Sequence, residues 1–322
     1  MSRIFAALLA VALTACTQPR VAAHKIYVSD EQDNVIHVID GATDHRIADI
    51  HVDARPRGMV VTPDGRQLLV AAGRADRIDV IDLQTDRIVD RLPSGPDPER
   101  FAISPDGHSL YVANENDSKA SKVDIASKRL VWQTDVGPEP EGMAISPDGQ
   151  WVICTSEGAS LVHFIRAADG KLVDSVLVGT RPRAAQFTPD GRRLWVSSEA
   201  RGEIAVFDPA THAVLQTIDF QADPVANTVQ AVGIAMKHDG SRFYVALGRG
   251  DHVAEVDART LKILRYFPSG SRNWGVALSP DESRLYAANG LSGDLSVIDL
   301  KSGRRVTTVK LGGRPWGVVV SQ

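Results

Sequence analysis

A tripeptide, Pro-Asp-Gly, recurs along the chain at a nearly constant interval, and this repeat restricts the fold more than any other feature of the sequence. Four complete copies and two degenerate copies follow one another at intervals of 42, 42, 42, 49 and 42 residues. Their aspartates are Asp64, Asp106, Asp148, Asp190, Asp239 and Asp281. A second marker, an apolar residue followed by Asp, occurs seven times with the same period, although Arg166 replaces Asp in one copy. Seven units of one kind therefore fill the chain, as in closed repeat architectures.

Each unit is predicted to form a four-stranded antiparallel sheet. Short runs rich in Val and Ile alternate with turns, and in Pro-Asp-Gly the Pro fixes φ while the Gly accepts a positive φ. In the unit that begins at Gly142, the predicted strands are Met143 to Ser146, Trp151 to Thr155, Leu161 to Ile165 and Leu172 to Val178. One such sheet does not bury both of its faces, whereas radial packing of seven sheets does. The sequence therefore predicts an all-β fold, a seven-bladed β-propeller with four antiparallel strands per blade.

The two ends of the repeat array are predicted to complete one blade together. Residues 24 to 54 supply only three strands, Lys25 to Val28, Val35 to Asp40 and Ile47 to Val52. The missing first strand lies at the other end of the chain, in Trp316 to Val320. Pairing of these distant segments would remove two unpaired sheet edges. The propeller is therefore predicted to occupy residues 24–322, with the C-terminal strand closing the N-terminal blade.

Residues 1–23 are predicted to be a signal peptide. Arg3 precedes a short apolar run, which is too short to span a bilayer. The run ends in Leu-Thr-Ala followed by Cys16, which resembles a bacterial lipobox and predicts cleavage before Cys16 and a lipidated thiol. Because Thr17 follows, the predicted destination is the outer membrane. The alternative is cleavage after Ala23, which would release a soluble protein.

Charge and motifs exclude several classes of function. With 36 Lys and Arg residues against 40 Asp and Glu residues, the formal net charge of −4 does not favour binding of nucleic acid. The sequence has no Gly-x-Ser-x-Gly, His-Glu-x-x-His, glycine-rich phosphate loop or Cys-x-x-Cys-His haem motif. We therefore predict no cofactor and assign no catalytic residue. The second cysteine, Cys154, lies in an apolar strand and is predicted to be buried and inert.

The repeat closely resembles the YVTN-type propeller repeat and, more narrowly, the family of PQQ-dependent catabolism-associated β-propeller proteins. The stretches that carry the resemblance are SGPDPE from Ser94, EPEGMAISPDG from Glu139, HFI from His163, RPRAAQFTPDGRRLWVSSE from Arg181, VQAVGIA from Val229 and RPWGVVV from Arg314. Arg166 departs from this pattern, which has Asp there. The resemblance implies a periplasmic protein that works beside quinoprotein alcohol dehydrogenases and an associated transport system. It implies no catalytic residues.

One rim of the ring is predicted to be the working surface, because the loops before the first strands and after the second strands meet there. The residues ahead of the first strands are Arg55, Arg57, Arg100, Glu139, Glu141, Arg181, Arg183, Gln230, Arg272, Asn273, Trp274, Arg314 and Trp316. Those after the second strands are Glu31, Glu115, Glu157 and Glu199. In one interpretation, the guanidinium groups bind an acidic ligand or a protein partner beside a wall of Trp274 and Trp316. In the other, the arginines and glutamates pair with each other and the tryptophans plug the ring.

Two functional hypotheses follow. The first is a non-enzymatic periplasmic platform, held to the membrane only by its lipid, that binds a small acidic ligand or a protein in quinoprotein-linked alcohol catabolism. The alternative is a propeller hydrolase of the lactonase type, with a rim His or Glu as general base and a metal held by Glu115, Glu157 and Glu199. The one longer interval places seven extra residues between Asp219 and Gln230, on the same rim. They are interpreted as a lid, a partner contact or a neutral insertion.

Overall fold

Seven antiparallel sheets of four strands each, arranged in a ring, make up residues 24–220 and 228–321, the part of the chain that the computed structural model describes. The first strand of each sheet contacts the first strand of the next, and the last contact returns to the first sheet. The predicted seven-bladed β-propeller is therefore confirmed. Within the described residues, no helix is long and apolar enough to cross a membrane.

Strands are numbered β1 to β28 in chain order, and blades 1 to 7 in order around the ring. Blade 1 contains β28 (Pro315–Val320), β1 (Lys25–Asp30), β2 (Val35–Asp40) and β3 (His45–His51). Blade 2 contains β4 (Pro56–Val61), β5 (Gln67–Ala72), β6 (Arg77–Asp82) and β7 (Arg87–Pro93). Blade 3 contains β8 (Pro98–Ile103), β9 (Ser109–Asn114), β10 (Lys119–Asp124) and β11 (Arg129–Asp135). Blade 4 contains β12 (Pro140–Ile145), β13 (Trp151–Ser156), β14 (Leu161–Arg166) and β15 (Leu172–Leu177).

The other three blades follow the same plan. Blade 5 contains β16 (Pro182–Phe187), β17 (Leu194–Ser198), β18 (Glu203–Asp208) and β19 (Ala213–Asp219). Blade 6 contains β20 (Ile234–Met236), β21 (Arg242–Ala246), β22 (His252–Asp257) and β23 (Ile263–Pro268). Blade 7 contains β24 (Asn273–Leu278), β25 (Arg284–Asn289), β26 (Asp294–Asp299) and β27 (Arg304–Lys310). Two 3₁₀ turns, Gly73–Ala75 and Glu115–Asp117, follow β5 and β9.

The first strand of blade 4 begins at Pro140, three residues before the predicted start at Met143. The register between β12 and β13 shifts between Pro140 and Met143, so a bulge interrupts the pairing there. The same irregularity recurs in five other blades. A bulge adds one residue to a strand, so the side chains on either side of it no longer alternate between the two faces of the sheet. A strand predicted from regular alternation therefore begins only after the bulge.

The C-terminal strand closes the ring as the sequence predicts. In blade 1 the order is β28-β1-β2-β3, so the last strand of the chain pairs with the first. Val318 lies opposite Val28, and Val320 opposite Ile26. The backbone N–H of Ser321 also donates to the carbonyl of Lys25 at 2.9 Å. Residues almost 300 positions apart therefore belong to one sheet.

Apolar side chains between adjacent blades form the core. One cluster joins Phe164 of blade 4 to Phe207 of blade 5, whose rings lie 5.9 Å apart. Another joins Ile26 of blade 1 to Tyr286 of blade 7. Cys154 is fully buried, and burial raises the pKa of its thiol. The predicted signal peptide with Cys16, and residues 221–227 of the inserted loop, lie outside the described residues.

Candidate functional site

One position of the repeat, which is the second residue of the first strand in every blade except blade 6, contributes to a belt of side chains around the central channel. By repeat position, the members of this belt are Arg57, Glu99, Glu141, Arg183, Val232, Trp274 and Trp316. Six of them contact one another across blade boundaries, through ion pairs, cation–π contacts and one ring stack. Contacts between blades that are not neighbours require these side chains to lie in the channel. The belt is therefore a single polar and aromatic site with contributions from most of the ring.

Arg183 is the centre of the most deeply buried charge cluster. Its Nε donates to Glu199 at 2.6 Å, and its Nη1 lies 2.8 Å from Glu157 and contacts Glu141. All four side chains are less than a tenth exposed. One guanidinium thus holds three carboxylates from three adjacent strands or loops, which fixes their positions and offsets part of their desolvation.

A second cluster surrounds Arg57 on the other side of the channel. Its Nε donates to Glu31 at 2.8 Å and its Nη1 to Glu99 at 2.6 Å. The same Nη1 lies 4.0 Å from Glu141, which links this cluster to that of Arg183. Burial raises the pKa of Glu99 well above its usual range. Glu99 was not among the predicted site residues, although its interval of 42 residues from both Arg57 and Glu141 marks it as a member of the same belt.

Two tryptophans form the apolar wall of the channel. The rings of Trp274 and Trp316 lie 6.3 Å apart at an interplanar angle of 27°. The guanidinium of Arg272 lies 4.2 Å from the Trp274 ring centroid, and that of Arg100 lies 4.5 Å from the Trp316 ring centroid. Arg272 also donates to Glu199 at 2.9 Å. The two tryptophans thus stack on each other and have cations on their faces.

The loop position after the second strands is glycine in three blades, namely Gly73, Gly248 and Gly290, and each glycine makes room for a neighbouring side chain. A Cβ at Gly73 would lie 2.4 Å from Asp97, and one at Gly290 would lie 2.9 Å from Nε1 of Trp274. The other four blades have Glu at this position, namely Glu31, Glu115, Glu157 and Glu199. This loop position therefore either supplies a carboxylate or leaves space for the group opposite.

The structure divides the predicted arginines into paired, exposed and unpaired groups. Arg181 is 46% exposed and contacts Glu157, and Arg314 is exposed at the outer edge of the rim. Arg57, Arg183 and Arg272 pair with carboxylates, as described above. Arg100 differs, since within residues 24–220 and 228–321 its side chain has no ion pair and no hydrogen bond. Most of the rim is therefore paired internally, whereas the half-buried Arg100 and the exposed Arg314 have no such partner among the described residues.

Among the glutamates of this cluster, Glu157 has the pKa best suited to a general base near neutral pH. Burial raises the pKa of its carboxyl to about 7, aided by the nearby Glu141 and opposed by Arg183 and Arg181. For Glu199, burial also raises the pKa, but Arg183 and Arg272 outweigh it and hold the pKa below its usual range. Two glutamates that share Arg183 thus differ in protonation at neutral pH, an arrangement that separates acid–base roles in active sites.

The predicted metal ligands do not come together. In the described part of the chain, Glu115 pairs with Arg55 in blade 2, whereas Glu157 and Glu199 lie beside Arg183. A different trio, Asp97, Glu99 and Glu115, has carboxylate oxygens within 4.8 Å of one another. The Arg55 guanidinium lies among these three carboxylates, 2.8 Å from Glu99 and 3.4 Å from Glu115, and contacts Asp97. Arg55 therefore occupies the position that a cation would take.

Grooves on the opposite rim are less suited to chemistry. One, of about 490 Å³, lies between blades 3 and 4 and is lined by Tyr111, Lys122 and Trp151 among others. The carboxylates that line this groove belong to the Pro-Asp-Gly turns, where they accept hydrogen bonds within the turn. Asp106, for example, accepts hydrogen bonds from Ser104 and from the His108 backbone. We place the candidate site at the channel belt, because buried acids and bases from several blades converge there.

Comparisons with known proteins agree with this architecture. The sequence model of the seven-bladed β-propeller lactonases matches residues 137–311, more than half of the chain, and that of YNCE-like β-propellers matches residues 63–150. No match to the chain is found among curated proteins.

Several solved structures are similar. The periplasmic gluconolactonase PpgL of Pseudomonas aeruginosa shares 21% identity, over 94% of this chain and 99% of that chain, with a TM-score of 0.78. A Bacteroides fragilis protein provisionally assigned as a 6-phosphogluconolactonase shares 16% identity, over 95% and 100% of the two chains, with a TM-score of 0.77. Hydrazine synthase of Kuenenia stuttgartiensis shares 22% identity, over 85% and 92%, with a TM-score of 0.75. At these identities the similarity shows the fold alone.

Proposed function

Because the chain belongs to the seven-bladed β-propeller lactonase family, we propose that it hydrolyses a lactone at the channel belt. In this reaction, water adds to the lactone carbonyl, the ring C–O bond breaks, and the ring oxygen takes up a proton to give a hydroxy acid. The enzyme has to supply a base for the water and a cation for the oxyanion of the tetrahedral intermediate. Lactone hydrolysis suits this site because it needs no redox cofactor and no phosphate-binding loop.

Glu157 carries the proposal, because the pKa of its carboxyl, raised by burial to about 7, matches the requirement for a base that works near neutral pH. The Glu157 carboxylate takes the proton of the attacking water. Arg181, half-exposed above it, is the ion-pair partner that a ligand reaches first from solvent. Glu157 therefore lies between the exposed Arg181 and the buried cluster around Arg183.

Arg183 supplies positive charge beside this base. Its Nη1 lies 2.8 Å from Glu157. A lactone carbonyl attacked by water from Glu157 would therefore develop its negative charge close to the guanidinium. Glu199 accepts a hydrogen bond from Nε of Arg183 at 2.6 Å and holds the guanidinium in place. A buried, pre-oriented cation stabilises an oxyanion more strongly than an exposed one, since water does not screen it. The gluconolactonase activity named for the similar Pseudomonas aeruginosa structure supports the same class of reaction.

The test is hydrolysis of a panel of δ- and γ-lactones by residues 24–322, followed by acid release at constant pH and corrected for spontaneous hydrolysis. We expect turnover that rises with pH through about 7 as Glu157 loses its proton. Glu157→Gln removes the base and should lower kcat by roughly 100-fold or more. Glu139→Gln, a change at an exposed rim residue of the same blade, is the matched control and should stay within about twofold of the wild type.

Two results would overturn the proposal. One is a wild-type protein that hydrolyses none of the lactones faster than buffer does. The other is a Glu157→Gln variant with unchanged kcat and pH profile.

A second candidate function is a binding platform without turnover in quinoprotein-linked alcohol oxidation, with the protein held in the periplasm by a lipidated Cys16. The internal pairing of Arg57 and Arg183 favours it, because guanidinium groups already bound to carboxylates can exchange them for those of an acidic ligand. Saturable binding of pyrroloquinoline quinone, a tricarboxylate, together with no lactone turnover, would support this candidate over hydrolysis.

A further inference from the structure

Arg100 breaks a rule that the other six blades obey. The repeat position that follows the belt residue is Gly58, Gly142, Ala184, Gly233, Gly275 or Gly317 in those blades and Arg100 in blade 3. The small residue is needed for close packing of adjacent blades. A Cβ at Gly58, for example, would lie 2.5 Å from the Glu99 carbonyl oxygen, and one at Gly233 would lie 2.4 Å from that of Trp274. A long side chain at this position therefore works against the packing of the ring, which calls for a functional reason.

The side chain of Arg100 extends into the channel. Its guanidinium lies over the ring of Trp316, which belongs to blade 1, whereas Arg100 belongs to blade 3. A contact between blades that are not neighbours is made across the channel. The guanidinium is also close enough to Glu141, Glu99, Arg57 and Arg183 to feel their charges. Burial lowers the pKa of Arg100 to about 10, so the group remains cationic at neutral pH.

Hydrogen-bonding groups without a protein partner collect around Arg100. Within the described residues, none of its own N–H groups forms a hydrogen bond or ion pair. The indole Nε1 of Trp316, a side chain that is only 3% exposed, also has no acceptor there. Burying a donor without an acceptor costs free energy. The Trp316 N–H is a buried donor of this kind, and the half-buried guanidinium of Arg100, which lies over the same ring, has no protein partner in the described part of the chain. Both are therefore available to an acceptor from outside the protein.

We propose that Arg100 and Trp316 form a carboxylate-binding subsite in the channel, to which the carboxylate created by lactone ring opening moves when the product leaves Glu157 and Arg183. This inference rests on the proposed hydrolysis for the identity of the ligand. A guanidinium donates to both oxygens of a carboxylate in one plane, and the indole N–H adds a third donor from the adjacent wall.

The charges around the subsite favour a monoanion over a dianion. Glu99 and Glu141 are both near Arg100, and one oxygen of Glu141, Oε2, is buried without a partner among the described residues. The negative charge of Glu141 weakens the attraction for phosphate, which carries about one and a half charges at neutral pH, more than it weakens the attraction for a monoanion. The unpartnered oxygen of Glu141 also offers an acceptor to a hydroxyl group. A hydroxy carboxylate therefore matches the subsite better than inorganic phosphate does.

The subsite is tested by equilibrium binding of D-gluconate to residues 24–322, measured by calorimetry and by tryptophan fluorescence. Sorbitol, in which a CH₂OH group replaces the carboxylate, and inorganic phosphate are the comparison ligands. Arg100→Gly introduces the glycine that five of the other six blades have and is thus expected to fold. We expect this change to weaken gluconate binding by roughly 10- to 100-fold, as for loss of a charged hydrogen bond. Trp316→Phe keeps the ring, removes the N–H and should weaken binding severalfold.

Arg192→Ala removes one positive charge from the opposite rim, where Arg192 is 83% exposed, and is the charge-matched control. It should leave gluconate affinity within about twofold of the wild type. Arg100→Gln replaces Arg100→Gly if the glycine variant does not keep the thermal midpoint of the wild type. Equal gluconate affinity in the wild type and the Arg100 variant overturns the proposal, as does sorbitol or phosphate binding as tightly as gluconate.

Binding needs no turnover, so the two proposals fail separately. If the protein hydrolyses lactones but its gluconate binding does not depend on Arg100, the subsite is disproved and the proposed hydrolysis is not. Arg100-dependent gluconate binding in a protein that hydrolyses no lactone supports the subsite and sinks the proposed hydrolysis.

Discussion

His163 occupies the middle of β14, where its imidazole is 2% exposed and surrounded by neutral partners. Nε2 lies 2.9 Å from the Ser156 hydroxyl and accepts from the Gly137 N–H at 3.2 Å, while Nδ1 lies 2.8 Å from the Ser175 hydroxyl. No carboxylate is among these partners, so burial lowers the pKa of His163 to about 4. The imidazole is therefore neutral in the folded protein at any pH near neutrality.

This environment predicts acid sensitivity. Between about pH 6.5 and 4 the unfolded chain binds a proton at His163 that the folded chain does not, so the free energy of unfolding falls as the pH falls. The contribution lost over this window is up to about 3 kcal/mol. In His163→Ser this contribution is absent, and serine already stands at the equivalent positions Ser121 and Ser296.

The measurement is urea unfolding of the wild type and His163→Ser at pH 4, 5, 6 and 7. We expect the stability difference between them to shrink steadily as the pH is lowered. Groups with a raised pKa, such as Glu157, change the free energy of unfolding in the opposite direction with pH. Their contribution is the same in both proteins, so it cancels in the stability difference. A difference that stays constant from pH 7 to pH 4 would show that His163 takes up its proton in the folded state.

Among the elements, the first strands carry the strictest packing. A Cβ on Gly142 would lie 2.3 Å from the carbonyl oxygen of Arg183 in the next blade and 2.7 Å from the Thr155 hydroxyl. That hydroxyl accepts the N–H of Gly142 at 2.7 Å, so it has little freedom to move away. The glycine therefore sets the distance between β12 and β16, and with it the distance between Glu141 and Arg183.

Gly142→Ala should destabilise the protein by about 1–3 kcal/mol, as for overpacking of a well-packed interior. Ala184→Gly, the reverse change at the equivalent position of blade 5, is the control and should cost no more than about 1 kcal/mol. Urea unfolding of both variants beside the wild type checks the prediction. It would be contradicted by a Gly142→Ala protein as stable as Ala184→Gly.

The periodicity of the sequence predicts strands and rims well, because both depend on local alternation and on turn residues such as Asp148 and Gly149. Ion pairs such as Arg183 with Glu141 are harder to predict, since they join residues one full repeat apart and depend on the inter-blade distance. Aligning the seven units would have identified Glu99 as a belt residue and Arg100 as the exception to a glycine position. Periodicity alone does not reveal that Arg100 lacks a protein partner, because pairing depends on side-chain positions.

Arg166 illustrates the same limit at a turn. At the equivalent position Asp40 accepts hydrogen bonds from the N–H and hydroxyl of Thr43, three residues later. In blade 4 the polarity is reversed, and Arg166 donates to Asp169 at 2.8 Å. The turn itself is retained, because the Gly170 N–H still donates to the Arg166 carbonyl at 2.9 Å. The sequence shows that Arg166 replaces Asp. That Asp169 compensates by accepting a hydrogen bond from Arg166 is seen only in the folded turn.

In the whole molecule, the pairing of β28 with β1 decides whether the ring is closed. Along this seam Gly317 N–H donates to the Ser29 hydroxyl at 2.9 Å, and Glu31 N–H donates to the Arg314 carbonyl at 3.2 Å. Val318 packs in the core cluster that joins blades 7 and 1. Trp316, from the same strand, forms part of the channel wall. The seam therefore supports both the stability of the ring and the candidate site.

Deletion of residues 314–322 should open the ring. The deletion leaves the β1 edge unpaired, exposes apolar surface of blade 7 and removes the tryptophan that faces Arg100. We expect the thermal midpoint to fall by on the order of 10 °C or more, because several kcal/mol of packing and hydrogen bonding are lost in a protein of this size. We also expect self-association, since the free edge of β1 offers a template for another strand.

Circular dichroism melting and size-exclusion chromatography measure both effects, with a protein that lacks only Gln322 as the control. A synthetic peptide of residues 314–322 should raise the midpoint of the truncated protein in a concentration-dependent way, because it binds the folded state and not the unfolded one. The same peptide with scrambled sequence should have no effect, since apolar residues would then face the wrong side of the sheet. A truncated protein that stays monomeric with the midpoint of the control would mean that six complete blades hold the ring without its seam.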